Sequence, residues 1–467
     1  MKRWRIGWLI TLLACLPILF TRSANPALLA DTDTQEILRN IIARHQPLSW
    51  FAGDWPLHNH FYRPVTTLAF EFDQHFHPGS LAGFGLTNAV IAAACVLALF
   101  WFMRELTDRP LMATASAVLF SFWTWNPDFS ASWPALLWIL AGVALAASLM
   151  KSRSWKLGVL AFATVLPVMH EVEGLQPFRG GIVDWLPGRT ASVMAFFALI
   201  AMAAFARSIR VSAPRVVEDP NPLDPPATRN TEVSSGPRSP VPWIFLSVAA
   251  TALALGAYEQ AVMIPAVLVG IGVSFRLRGY RPKWGWHAAF WILLLAYFGL
   301  RRAVVPSAPS GYQLQQYRAS LDVFMTLTDY ALPPARDLIS LYFQLDLGFA
   351  SLLVTQLTTF YRIGVTLTAM IAGARARARN SLTRALSDDW VFLVTGYALS
   401  FLAFLPMAWF KPFPMYNHYH YWALAIRSLF AVMALSFWLR LALSAVSPRS
   451  LPAPLRLVPA PGSLPHP

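Results

Sequence analysis

Long apolar segments dominate this chain, and polar stretches separate them. Each segment is about as long as the hydrocarbon core of a bilayer is thick, and a helix is the form in which such a segment satisfies its own backbone there. Only 13% of the 467 residues are charged, well below the fraction usual in soluble proteins. The sequence therefore predicts an all-α, polytopic transmembrane helical bundle. Its twelve spanning helices are predicted near 6–21, 81–103, 111–126, 133–150, 157–169, 189–206, 242–257, 260–275, 284–300, 348–372, 390–409 and 421–445.

The charges sort onto two sides of this predicted bundle. With the N-terminus placed inside, alternate loops hold 24 of the 37 lysines and arginines, while the other loops hold 15 of the 23 acids. Basic loops mark the cytoplasmic side, so the polar chemistry is expected to face away from the cytoplasm. The basic start and the apolar run 6–20 resemble a signal peptide. No convincing small-residue cleavage site follows, which favours an uncleaved first helix.

The domain organisation follows from composition. Residues 1–446 are predicted to form one transmembrane domain. Within it, 208–241 is rich in proline, serine and charge, which predicts a disordered cytoplasmic linker, and 447–467 reads as a disordered cytoplasmic tail. The net charge of +14 lies in short groups beside the apolar segments, which suits lipid headgroups and argues against a nucleic-acid partner.

Two long outer loops, 22–80 and 301–346, carry many aromatic residues. Loops of this length are usually functional or disordered, and the aromatic content favours function. In the first loop, Asp31 and Asp33 follow the first apolar segment directly. They could supply a general base or a metal site with a third ligand. Alternatively, Asp33 or Thr34 could cap a short helix that begins at Gln35.

Other polar residues at the outer ends of the helices have similar alternatives. Arg63 after Tyr62 could bind a phosphate bidentately or anchor the chain at the interface. Glu259, in a short outer turn, is costly near hydrocarbon unless paired, so it is either a site residue or half of a salt bridge. The histidine pairs 58/60 and 75/77 lack a clear carboxylate spacing, so no resident metal is predicted, although a divalent ion stays possible. Further candidates are Glu173, Arg189, Arg301, Arg302, His418 and His420.

Several short motifs follow one another along the chain. An acidic residue is followed by isoleucine and asparagine at Asp33, Ile37 and Asn40, and Tyr-Arg-Pro-Val stands at 62–65. Further motifs are Gly83–Asn88, Trp185–Arg189, Tyr258–Glu259 and the arginines 301 and 302 followed by Gly311-Tyr312. Taken in this order, they resemble the motifs of the GT-C class of membrane glycosyltransferases. The resemblance is to the branch with the tetratricopeptide-repeat O-mannosyltransferases and their bacterial relatives, although no such repeat is present here.

This resemblance implies a GT-C-like fold and a transferase that uses a polyprenyl-phosphate-linked sugar. Asp33, with Asp31 beside it, would be the catalytic carboxylate. Arg63, Arg301 and Arg302 would bind the phosphate leaving group of the donor. The partners would be the lipid-linked sugar, membrane lipids and a protein or glycan acceptor. The expected location is a bacterial inner membrane with the active side periplasmic or extracellular.

Two other functions remain open from the sequence. A transporter or flippase for a lipid-linked glycan usually shows internal repeats and charges at the membrane midplane. No repeat is visible here, and the charges lie at the outer ends of the segments. A non-catalytic assembly subunit of the same fold is supported by Thr32, which interrupts the acidic pair.

Overall fold

A computed structural model describes residues 2–21, 27–44, 46–125, 182–183, 185–212, 239–316, 323, 382–409, 417–430 and 432–433. All regular structure in these ranges is helical. The α-helices are α1 (Lys2–Thr21), α2 (Thr32–Arg44), α3 (Pro64–Phe76), α4 (Leu81–Thr107), α5 (Pro110–Trp125), α6 (Arg189–Ser212), α7 (Val241–Leu255), α8 (Ile264–Leu277), α9 (His287–Val304), α10 (Leu382–Phe404) and α11 (421–430), with helical turns at Ala27–Ala30 and Gly311–Gln316. Short 3-10 helices lie at Pro47–Ala52, Leu186–Gly188, Glu259–Met263, Trp284–Trp286, Leu405–Trp409 and Asn417–His420.

Five helices in the described ranges are long and apolar enough to cross a membrane. These spans are Arg3–Phe20, Leu81–Thr107, Leu186–Ser212, Glu259–Leu277 and Trp284–Val304. Shorter apolar helices occupy Pro110–Thr124, Val241–Leu255 and Val394–Trp409. All eight coincide with predicted segments. The predicted segments 133–150, 157–169 and 348–372 and most of 421–445 lie outside the described residues, so the count of twelve stays a prediction.

Helix α6 lies at the centre of the described bundle and packs against α4, α7 and α8. In its apolar span 78% of the residues are buried, against 22% in each of the spans that contain α1 and α9. Small side chains make this possible, since Ala191, Ala195, Ala198 and Ala201 are fully buried and let neighbouring helices approach closely. The helix continues to Ser212, which extends it into the first residues of the predicted linker. The rest of that linker, from 213 to 238, and the tail 447–467 lie outside the described residues.

One end of the bundle gathers arginines around a buried carboxylate. Glu105, at the end of α4, is 2% exposed and lies 3.3 Å from Arg207 and 3.9 Å from Arg210, both near the end of α6. Arg210 also pairs with Asp108 at 2.7 Å. Arg104 packs over Trp4 of α1, and Arg207 over Trp243 of α7. The arginines and indoles are thus arranged as at a membrane–water interface.

The opposite end carries a folded cap built from the segment between α1 and α4. Helices α2 and α3 enclose a small apolar core that is separate from the main core. This small core includes Ile37, Ile41, Trp50 and Phe70. The sequence predicted only a short helix for this loop, and α3 was not expected. Pro64 suits the first position of α3, where a missing N–H costs nothing. The backbone N–H of Val65 donates to the Gly256 carbonyl at 2.9 Å, which fixes α3 to the end of α7.

Candidate functional site

A cavity opens under the cap, at the end of the bundle opposite Glu105. It encloses about 590 Å³, counting space open to solvent at its mouth. Its walls come from α2, the loop 54–63, residues 185–190, the α7–α8 connection and residues 418–419, with Tyr312 and Met407. The cavity therefore joins chain segments that are far apart in sequence.

The two acidic residues at the start of the cap, Asp31 and Asp33, have different surroundings. The Thr34 backbone N–H donates to Asp31 Oδ2 at 3.1 Å, and the Trp185 indole donates to the same oxygen at 3.2 Å. Asp31 therefore caps α2, which begins at Thr32. The expectation that Asp33 or Thr34 caps a helix starting at Gln35 is wrong. Asp33 lies in the first turn of α2 and lines the cavity.

The carboxyl group of Asp33 is half-buried. Burial raises its pKa above the ordinary value, and the negative charge of Asp31 raises it further. A carboxylate that binds protons more tightly is a better proton acceptor for a substrate hydroxyl.

Arg63 and Glu259 form a bidentate pair in the cavity wall. Arg63 donates from Nε and Nη2 to Glu259 Oε2 at 2.9 and 2.8 Å. The rings of Phe61, Tyr258 and Trp55 surround the guanidinium at 4.2, 4.7 and 5.3 Å. Burial, the largest single influence, lowers the pKa of Arg63. The charge and hydrogen bond of Glu259, together with Tyr258 and Tyr419, outweigh burial, so the pKa is raised and the cation is retained. Of the two alternatives for Glu259, a site residue or half of a salt bridge, its contact with Arg63 is the salt bridge.

Arg63 keeps one nitrogen available. The hydrogen bonds of Arg63 run from Nε and Nη2 to Glu259. Within the described residues, the third nitrogen, Nη1, makes no hydrogen bond. A second anion in the cavity could therefore contact the guanidinium without displacing Glu259.

His418 lies at the inner wall of the cavity, with its ring 5.0 Å from that of Trp185. Burial lowers its pKa to about 3, and the positive charge of Arg63 contributes. The imidazole is therefore neutral at physiological pH and adds no charge to the site. His420 does not line the cavity, and its ring stacks on Phe404 at 4.6 Å.

Two arginines predicted to bind phosphate lie away from the cavity. Arg301 donates to the backbone carbonyl of His60 at 3.2 Å, because it lies behind the loop that forms the wall. Arg302 is exposed at the end of α9. The structure does not bring either residue to the same cavity as Asp33.

Three further sequence candidates have structural contacts or fall outside the described chain. The Tyr62 hydroxyl donates to the Phe51 carbonyl at 3.1 Å. Arg189 is fully buried and pairs with Asp73 at 2.6 Å. Glu173 lies outside the described residues.

The loop 54–63 has a fixed and unusual backbone. His58 and His60 have positive φ angles of 51° and 63°, which non-glycine residues rarely adopt. Asp54 holds the loop by accepting from the backbone N–H groups of Trp55 and His60 at 2.8 and 2.9 Å. Sequence reasoning missed Trp55 and Asn59 as cavity residues. The signal that could have found them is the dense aromatic spacing between 50 and 62.

Comparison with known proteins gives this site no relative: no protein-family model matches the chain, and neither does any curated protein or solved structure. Within the described residues, no three His, Cys, Asp or Glu side chains converge as ligands of a metal would.

Proposed function

We propose that this chain is a membrane glycosyltransferase that moves a sugar from a polyprenyl-phosphate donor to an acceptor hydroxyl on the extracytoplasmic face. The observation that carries the proposal is the cavity at one end of the apolar helices, which holds the Asp33 carboxylate and the Arg63 guanidinium together. A lipid-linked donor needs a site beside the membrane, a base for the acceptor and a cation for the leaving phosphate.

The proposed step uses Asp33 as general base. The acceptor oxygen bonds to the anomeric carbon as its proton passes to the Asp33 carboxylate. The bond between that carbon and the phosphate oxygen breaks, and the polyprenyl phosphate leaves with the electron pair. Arg63 stabilises the charge that develops on the phosphate. The raised pKa of Asp33 favours the proton transfer, and the aromatic rings around Arg63 keep water away from the cation.

The test compares two neighbouring carboxylates. We expect Asp33→Asn to lower transfer by about 10²- to 10⁴-fold, because an amide cannot take the proton. Asp31→Asn is the matched control, since asparagine caps a helix about as well as aspartate. It should retain most of the transfer rate, with a much smaller loss than Asp33→Asn, because the Asp31 charge is only the lesser cause of the raised Asp33 pKa. The assay is release of farnesyl phosphate from farnesyl-phosphoryl mannose or glucose by purified protein, with membranes from a host lacking this chain as the acceptor source.

Three outcomes of this assay would count against the proposal. Wild-type rates in Asp33→Asn would put the base elsewhere. Equal losses in both variants would indicate damage to α2. Wild-type protein that binds the donor but never releases farnesyl phosphate would favour the non-catalytic assembly subunit or the glycan transporter.

A further inference from the structure

Two buried polar atoms in the cavity wall have no hydrogen-bond partner in the described part of the chain. They are the indole N–H of Trp55 and the side-chain oxygen Oδ1 of Asn59. The residues are 2% and 8% exposed, and both line the cavity. Buried polar groups in native proteins are nearly always paired, and an unpaired one is costly. These atoms therefore need an explanation.

The loop that carries them cannot easily relax to find partners within the protein. The Ser310 hydroxyl donates to the backbone carbonyl of Asn59 at 3.0 Å, and the Gln313 amide donates to that of His60 at 3.2 Å. The Trp55 backbone N–H is bonded to the Phe61 carbonyl at 2.9 Å. The backbone is thus fixed on both sides of Asn59, while its side-chain oxygen is left without a partner.

The chemistry of the two atoms selects a ligand class. An indole nitrogen only donates, and an amide oxygen only accepts. A hydroxyl can satisfy either one, because it is both donor and acceptor. A phosphodiester has no hydrogen to offer Asn59 Oδ1, so this part of the wall suits a neutral polyol better than an anion.

The position of Trp55 relates this region to the rest of the site. Its ring lies 5.3 Å from the Arg63 guanidinium, the cation assigned above to the phosphate. The sugar of a lipid-linked donor is one bond from its phosphate, so its hydroxyls must lie close to that cation.

We propose that Trp55 and Asn59 form a hydroxyl-binding subsite that holds the sugar ring of the lipid-linked donor. This inference rests on the proposed function. Trp55 donates to one sugar oxygen, and Asn59 accepts from a sugar hydroxyl. Neither atom is reached by water in the unliganded arrangement, so these side chains rotate slightly as the sugar enters.

The experiment compares two phosphodiesters of equal charge, one with a sugar and one without. Farnesyl methyl phosphate and farnesyl-phosphoryl mannose are titrated by calorimetry into the full-length protein in lipid nanodiscs, and the mannose ligand is then replaced by the glucose one. Wild-type protein should bind at least one sugar-bearing ligand more tightly than farnesyl methyl phosphate. Trp55→Phe keeps an aromatic ring, although a smaller one, and removes the N–H. It should weaken binding of that sugar-bearing ligand about 3- to 10-fold, the range of one lost hydrogen bond, and leave farnesyl methyl phosphate unchanged. Asn59→Leu should do the same.

A matched control comes from the neighbouring tryptophan. Trp50 is also buried, but its indole donates to Glu71 at 2.7 Å and it does not line the cavity. Trp50→Phe should leave the ratio of the two affinities unchanged.

Each remaining outcome overturns the subsite. No preference for either sugar-bearing ligand in wild type would do so, as would unchanged affinities in Trp55→Phe. Equal weakening of both ligands would show that the indole matters only for packing. Failure of the subsite is separable from failure of the proposed function, since transfer can persist without this discrimination. Conversely, discrimination without any transfer would leave a sugar-binding site in a protein that is not a transferase.

Discussion

At the scale of single residues, the most completely buried charged pair in the described part of the chain is Arg189 and Asp73. Both side chains are fully buried and lie 2.6 Å apart. Arg189 also donates to Asn88 Oδ1 at 2.6 Å and to the Ala69 carbonyl at 2.9 Å. The network therefore joins α3, α4 and α6 behind the cavity. Sequence motifs marked Arg189 as a candidate site residue, but its contacts are those of a structural ion pair.

Removing one half of this pair should be costly. We expect Asp73→Asn to lower the free energy of unfolding by about 3–5 kcal/mol, because it leaves the Arg189 charge buried and uncompensated. The measurement is the midpoint of thermal unfolding in detergent micelles. Glu36→Gln is the control, since Glu36 pairs with Arg39 at the surface, where the side chains are 39% and 70% exposed, and exposed pairs contribute about 1 kcal/mol or less. Equal shifts in the two midpoints would contradict the buried-pair interpretation.

Residue identity alone could not separate Asp31 from Asp33. Both follow the first apolar segment, and both are plausible bases or caps. Their roles diverge because α2 begins at Thr32, so that Asp31 accepts from the Thr34 N–H, and because Trp185, 154 positions away, donates to the same carboxylate oxygen. The sequence also could not show that Arg301 lies away from the cavity. Its partner is the backbone carbonyl of His60, and a backbone contact leaves no pattern in the sequence.

At the scale of helices, the cap depends on a close approach between the end of α3 and the start of α4. Gly83, in the first turn of α4, lies against His77, just beyond α3. A Cβ at position 83 would overlap the His77 Cβ and come within 2.6 Å of its Cγ. These atoms are near the His77 backbone, so they cannot move aside without moving the chain.

Adding one methyl group at this contact should therefore loosen the cap. We expect Gly83→Ala to lower the free energy of unfolding by about 1–3 kcal/mol, the usual cost of overpacking. Gly299→Ala on α9 is the control, because no heavy atom of the described structure lies within 4 Å of its Cβ position. Alanine there should be neutral or stabilise by up to about 1 kcal/mol. Thermal unfolding of both variants measures the difference, and a stable Gly83→Ala protein would argue against the tight contact.

The length of the apolar segments was enough to predict the bundle helices in the described ranges, since a helix that crosses the hydrocarbon core needs an apolar segment of about that length. It could not predict α3. This helix buries Thr66 and Asp73, whose partners are the Ala257 carbonyl, 191 positions away, and Arg189. From the sequence alone, a helix that buries polar side chains has the composition of a loop, because the distant partners of those side chains are not visible.

At the scale of the whole molecule, the described helices outside the cap run alternately between the arginine-rich end and the cavity end. The turn before α9 carries Arg281 and Lys283, and the segment after α9 reaches the loop 54–63 through Ala308 and Ser310. This arrangement agrees with the charge sorting in the sequence. Successive spans alternate in direction, so every second connection lies at the arginine-rich end. Basic ends face the cytoplasm, so we expect the cavity to face outward.

Cysteine labelling tests that orientation. In a background without Cys15 and Cys95, Ser307→Cys should react with a membrane-impermeant maleimide in intact cells. Gly285→Cys should react only after permeabilisation. Both positions are exposed, so access and not burial decides the result. The reverse pattern would place the cavity in the cytoplasm and remove the support for an extracytoplasmic donor.

The Arg63–Glu259 contact also sets an order of events during synthesis. The two residues are 196 positions apart. Ribosomes add about 5–20 residues per second, so the arginine enters the membrane system about 10 to 40 s before its carboxylate exists. During that time Arg63 must stay hydrated or pair with another anion. The cavity is therefore completed only after the later segments have been made, and a nascent chain stopped before Glu259 would present an unneutralised cation where the finished protein has a wall.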